Sequence, residues 1–356
     1  MTWDDVARIA AERGRASSIV VMRGDAVVFE ELRAAGPHDL FYAFSVSKPF
    51  TALAVHLLAQ RGALDLDAPI AEYWPEYAAN GKQHVTIRHA LTHRTGAPYS
   101  TGWAVGDALR MADWQASVSA AAGARPHHPP GERVAYELLS FGFILGELVE
   151  RVDGRPIARF IDDEFLKPLE LADTRLGLET DAWDRRVPLV AGRLVEHIRR
   201  AAFNRRAVRE AVIPAAGIQT TARDLARFYR ALLTGGGGVV RSAAITAARS
   251  VSADGELDHV IGHTMRWGTG FQLGFPGHVR PMGTRASAET FGHNGSAVAN
   301  VWADPGRDVV FAWLNSVILP RRAGLAHISR LSDAVLDAVD ALDAGDALRV
   351  DGAAGR

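Results

Sequence analysis

The sequence predicts an α+β protein: a discontinuous α/β domain, its sheet flanked by helices, interrupted by an inserted all-α domain. Two observations carry that expectation. Strand patterns occur near both ends of the chain, and helical periodicity dominates the middle. Strands from two distant segments can share one sheet when the stretch between them packs as a layer of its own. The expected boundaries are 1–70 and 236–345 for the α/β domain and 71–235 for the insertion, with 346–356 as a disordered tail.

Residues 2–13 carry apolar positions at helical spacing, and Ile19-Val20-Val21-Met22 and Val27-Val28-Phe29 flank Arg23-Gly24-Asp25, a hairpin signal. From Ser47 to Arg61 the pattern is strongly helical: Phe50, Leu53, Ala54, Leu57 and Leu58 form a stripe, Pro49 suits a first turn, and Gly62 supplies a stop. Further helices are expected over 86–93, 107–122, 138–151, 156–166 and 221–233. Strand patterns return at Ala297 to Ala303 and Val309 to Leu314 around the turn Pro305-Gly306, before a terminal helix near 322–343. The glycines 235–238 lack a following Lys-Ser/Thr and read as a loop, not a phosphate cradle.

Length and composition exclude several classes of function. A chain of 356 residues with 48% apolar and 23% charged residues is long enough for a sizeable core and unlike a disordered one. Lys plus Arg total 40 against 41 Asp plus Glu, so no net positive field favours nucleic acid or an anionic membrane. A small molecule is the expected partner. Without cysteine, thiol nucleophiles and Cys-ligated zinc are excluded, leaving serine, carboxylate or histidine chemistry. The N-terminus lacks a basic segment followed by an apolar one, and no stretch approaches 18 uninterrupted apolar residues, so a cytoplasmic location is expected.

Ser45 and Lys48, at the start of the strongest helix, are three residues apart and share a side of one turn, so a hydroxyl and an amine can meet there. A serine needs a base, and burial together with a helix N-terminus can lower a lysine pKa enough to serve. Taken alone, the pair reads as a helix cap, Ser45, with an exposed Lys48. Downstream, Pro130 to Tyr136 is a turn leading to a phenol that could shuttle a proton, and Phe291-Gly292-His293-Asn294-Gly295-Ser296 precedes a strand, with glycine allowing close substrate approach. Singly, Tyr136 is also a core residue and His293 a turn residue. His89/His93 and His259/His263 have i,i+4 spacing without His-Glu-x-x-His, so no metal is expected; Gly-x-Ser-x-Gly is absent too.

These elements in this order resemble the serine β-lactamase and penicillin-binding-protein superfamily. The likeness is to its class C-like branch, with family VIII carboxylesterases and related acyltransferases, and covers about residues 15–320. Residues 62–70, 85–96 and 214–225 carry it further. The resemblance implies a β-lactamase/transpeptidase-like fold with an antiparallel sheet, Ser45 as the acylated nucleophile, and Lys48 and Tyr136 as its proton-handling partners. It also implies the Ser45 and Ser296 amides as oxyanion hole, a substrate-binding region at Leu138, His293, Asn294 and Gly295, and no cofactor.

Two departures bear on substrate. Tyr136-Glu137-Leu138 stands where the family commonly has Tyr-x-Asn, and His293-Asn294-Gly295 where it has Lys-Thr-Gly. Leucine offers a substrate amide no hydrogen bond, and histidine replaces a permanent cation. The expected activity is therefore cleavage of carboxylic esters through an acyl-serine. An acyltransferase using an amine or alcohol acceptor is the alternative, ahead of a D-amino-acid peptidase, amidase or β-lactamase, and of a non-catalytic binding protein. Trp103, Trp114, Trp267 and Phe271 are candidate walls of an acyl pocket.

Overall fold

The computed structural model describes residues 1–191 and 196–354, with side chains as far as 342. Its frame is an eight-stranded antiparallel sheet built from both ends of the chain. Helix α1 (Trp3–Ala11) leads into β1 (Ser17–Arg23) and β2 (Ala26–Arg33), the expected hairpin. Then come α2 (Ser47–Gln60), α3 (Ser140–Asp153), α4 (Glu196–Phe203) and α5 (Ala222–Leu233). The remaining strands are β3 (Ala253–Asp258), β4 (His263–Trp267), β5 (Gln272–Leu273), β6 (Phe291–Gly295), β7 (Ala299–Asp304) and β8 (Val309–Asn315), followed by α6 (Arg321–Ala354). The sheet order is β2-β1-β8-β7-β6-β5-β4-β3.

Two-residue periodicity explains why the central strands are apolar throughout. Ile19, Val21, Phe311 and Trp313 face one side, where α1 and α6 cover them with Val6, Ile9, Leu331 and Val335. Val20, Val310, Ala312 and Leu314 face the other and join a core with Phe50, Leu53, Phe141, Leu225 and Phe228 from α2, α3 and α5. Removing such alternating faces from water is the main stabilising term, at about 25 cal/mol per Å² of apolar surface.

Several elements differ from expectation. β3 and β4 went unread because they are polar strands at one end of the sheet: β3, the edge strand, shows no simple alternation and is bulged between Asp254 and Glu256. The expected 107–122 helix is two, Ala104–Arg110 and Trp114–Gly123, the second capped by Asp113. The 156–166 helix passes from α (Ile157–Ile161) to π (Asp162–Leu166). His293 to Gly295 lie on β6 itself, not ahead of a strand. Helix α5, expected within the insertion, packs on β1, β7 and β8. Division into an α/β domain and a helical insertion remains our proposal, with α5 moved to the sheet side. The tail expected over 346–356 falls where side chains, and for 355–356 the whole residues, lie outside those described; the backbone of α6 runs to Ala354. Among the described residues, no helix is long and apolar enough to cross a membrane.

Candidate active site

Ser45 sits on a single 3₁₀ turn, Phe44–Val46, that feeds directly into α2. Phe44 has φ 48°, a left-handed conformation costing about 1–3 kcal/mol in a non-glycine residue, held by its packing against Tyr42 and Phe203. Fully buried Ser47 locks the turn: its Oγ donates to the Phe44 carbonyl (2.6 Å) and accepts from the Ile218 amide (2.9 Å). The end of β6 lies against this turn. At Gly295 any Cβ would overlap the Ala43 carbonyl oxygen, so only glycine lets Ser296 approach the serine. We predict that Gly295→Ala lowers kcat/KM about 100-fold by displacing the strand end, checked by steady-state kinetics beside a melting curve.

Lys48 is wholly buried. Its Nζ donates to the carbonyls of Leu138 (2.8 Å) and Ala215 (3.3 Å) and lies 4.7 Å from the Tyr136 ring centroid. A neutral amine has two N–H groups, and both are used, which leaves its lone pair to accept a proton. The third N–H of an ammonium finds no acceptor among the described residues. Burial lowers the Lys48 pKa to about 7, opposed by the charge of Glu137. The 214–225 stretch supplies this environment: Pro214 accepts from Thr51 Oγ1 (2.8 Å), Ala215 from Lys48, and Thr221 caps α5. Gly142 of α3 permits it, because a Cβ there would overlap the Ala215 amide.

Tyr136 lies in an irregular segment bracketed from both sides. His93 accepts the Ala135 amide on its carbonyl (2.9 Å) and the Glu137 amide on Nδ1 (3.3 Å). Asp258, at the end of β3, accepts the amides of Tyr136 (3.1 Å), Val260 and Ile261. Trp267 stacks on the phenol ring, 5.4 Å between centroids at 13°. Burial holds the Tyr136 pKa above the ordinary value, with the neighbouring Ser45 hydroxyl acting the other way, so it is a phenol at neutral pH. The 85–96 motif thus positions Tyr136 through His93 and Thr95.

The sequence reading missed Glu137, His93, Asp258 and Arg199; only the acidic residue after Tyr136 in an otherwise apolar run offered a signal. Glu137 is fully buried, and its Oε1 accepts from Thr95 Oγ1 (2.7 Å) and the Thr95 amide (3.3 Å). Burial raises its pKa to about 8, with Lys48 opposing, so the two titrate as a coupled pair. Beyond Glu137, the titratable groups interacting with Lys48 are His93 and His293, both pushed down by burial. We predict that kcat/KM rises with pH through about 7 as Lys48 loses its proton. Glu137→Gln moves that rise to lower pH, because the carboxylate favouring the ammonium is gone; a pH–rate profile with an unmoved midpoint would separate Glu137 from Lys48.

A cavity of about 380 Å³ opens at Ser45 and is lined also by Tyr136, Leu138, Asn294 and Ser296. His293 is 1% exposed, turned beneath the Tyr136 and Trp267 rings with Nδ1 on the Asn294 carbonyl, and burial takes its pKa down to about 3. The expectation that His293 meets substrate is therefore corrected: it is buried, neutral packing behind the site. Gly295 serves by close packing. The apolar wall comes from Val260, Ile261, Met265, Pro281, Leu319 and Leu325, and none of the four proposed aromatics lines it. Trp267 and Phe271 are core, whereas Trp103 is 59% exposed. Among the described residues no His/Asp/Glu cluster could hold a metal.

Antiparallel sheet, helical layer and a serine turn facing a buried lysine and a phenol together define a serine hydrolase of the β-lactamase fold. The chain belongs to the Beta-lactamase family, whose model matches residues 6–324. It is 28% identical over 313 residues to the esterase/beta-lactamase LipL of Mycobacterium tuberculosis, covering 78% of this chain and 69% of that protein. With esterase EstB of Burkholderia gladioli it shares 36% identity over 149 residues, 38% of each chain. A family VIII carboxylesterase structure superposes with TM-score 0.76 at 24% identity, over 92% of this chain and 96% of that one.

Proposed function

We propose that this protein hydrolyses carboxylic esters through an acyl-Ser45 intermediate. The arrangement at Lys48 carries the reading: a dry amine with both N–H groups occupied, against the ring of Tyr136, whose phenol lines the cavity together with Ser45. Ser45 Oγ attacks the ester carbonyl while its proton passes through Tyr136 to Lys48. The amides of Ser45 and Ser296 stabilise the oxyanion, and collapse returns the proton by way of Tyr136 to the departing alcohol. Water, activated by the same pair, then clears the acyl group. The names of LipL and EstB support ester cleavage. Transfer of the acyl group to an amine or alcohol is the second reading, since the open cavity beside Ser45 would admit either acceptor.

Leu138 lines the cavity and, standing where the resemblance expects an asparagine, offers a β-lactam side-chain amide no partner; an unpaired buried polar group costs about 1–3 kcal/mol. The test is kcat/KM for 4-nitrophenyl butyrate against nitrocefin, with and without added amine. An ester advantage of about tenfold or more is expected. Nitrocefin equal to the ester would move the assignment to the β-lactamases, and faster acyl-enzyme breakdown with amine would favour the transferase.

A further inference from the structure

The walls of the cavity are electrically one-sided. Arg199, from α4, and Arg321, the first residue of α6, both line it, and among the described residues no Asp or Glu does. Arg199 donates through Nη2 to Ser296 Oγ (2.8 Å), next to the proposed oxyanion amide. Arg321 donates through Nη2 to the carbonyl of Ile261 (2.6 Å), which also lines the cavity. Each contact uses one of a guanidinium's five N–H donors, leaving a fork free on either side. Among the described residues neither arginine is in an ion pair, unlike Arg94, Arg155, Arg230 and Arg307. The acidic group felt at Arg199 is Glu196, one turn back on α4 and beyond ion-pair distance, while burial penalises the guanidinium charge. Arg199 is half-buried and Arg321 exposed, and two cations without an acidic partner at one cavity gain a counter-charge when an anion binds there.

Resting on the esterase reading, we propose that Arg199 and Arg321 form an anion subsite, and that the preferred substrate is an ester carrying a carboxylate besides its reacting bond. The cation absent at His293 is thereby supplied from the two flanking helices. Carboxylate geometry suits a planar guanidinium, which grips both oxygens at once. The aliphatic wall between fits a short chain joining carboxylate to ester.

Two matched pairs of esters test this and distinguish where the carboxylate lies. 4-Nitrophenyl hydrogen adipate against 4-nitrophenyl hexanoate places it on the acyl chain. 4-Acetoxybenzoate against its methyl ester places it on the leaving group. In one pair, the charged ester should show about tenfold higher kcat/KM at low salt, an advantage that shrinks as salt rises. Arg199→Gln and Arg321→Gln should each reduce that ratio, and the double variant should bring it near one, with Arg199→Lys retaining part of it. Reading ratios within each variant removes any general effect of Arg199 on Ser296. Neutral esters preferred or equal in both pairs, or a ratio unmoved in the double variant, overturns the subsite while ester hydrolysis stands. Failure of wild type to turn over any of the four esters overturns the underlying reading instead.

Discussion

Ser45→Ala is expected to reduce ester turnover below about a thousandth of wild type, because it removes the hydroxyl that lies beside the Tyr136 phenol at the cavity. The fold should survive. Loss of one hydroxyl costs at most about 0.5–1.5 kcal/mol net in hydrogen bonding, against a domain stability of about 5–15 kcal/mol. Ser47→Ala is an instructive contrast, since its hydroxyl is buried and bonded to both Phe44 and Ile218. That variant should lose about 1–3 kcal/mol of stability by orphaning the Ile218 amide, yet still take up an acyl group. Stopped turnover with an intact melting curve in one, and the reverse in the other, separates chemistry from scaffold.

The next largest effects belong to the proton path. Lys48→Ala and Tyr136→Phe should each slow acylation about 10²–10⁴-fold, the usual range for a positioned acid or base. Because the two groups hold one proton in turn, the double variant should be little slower than the worse single one. Single-turnover acylation checks this, and strictly multiplicative losses would place them on separate paths. Lys48→Ala carries a structural consequence too: the carbonyls of Leu138 and Ala215 lose their donor, so its melting curve must accompany the kinetics.

Much of this was legible in the sequence, for identifiable reasons. The Ser45–Lys48 turn, β1, β7, β8 and α2 announce themselves through local spacing and two- or 3.6-residue periodicity, which any short window contains. Tyr136 was found through its flanks. What escaped depends on partners distant in the chain. Asp258 matters because β3 brings it to the amide of Tyr136, and β3 itself is a bulged edge strand without a buried face to pattern it. His293 was read as facing substrate because its motif does so in the family. Its burial follows from strand alternation in β6 and from the rings of Tyr136 and Trp267 above it. Arg199 gives no sequence signal, since its role exists only where α4 meets Ser296.

The central claim is a covalent acyl group on Ser45, and intact-protein mass spectrometry after brief mixing with 4-nitrophenyl butyrate, followed by peptide mapping, tests it most directly. The account predicts one butyryl addition, on the peptide containing Ser45, appearing faster than it clears and absent from Ser45→Ala. An adduct of equal yield in Ser45→Ala, or turnover by wild type with the label mapping to another residue, would contradict it.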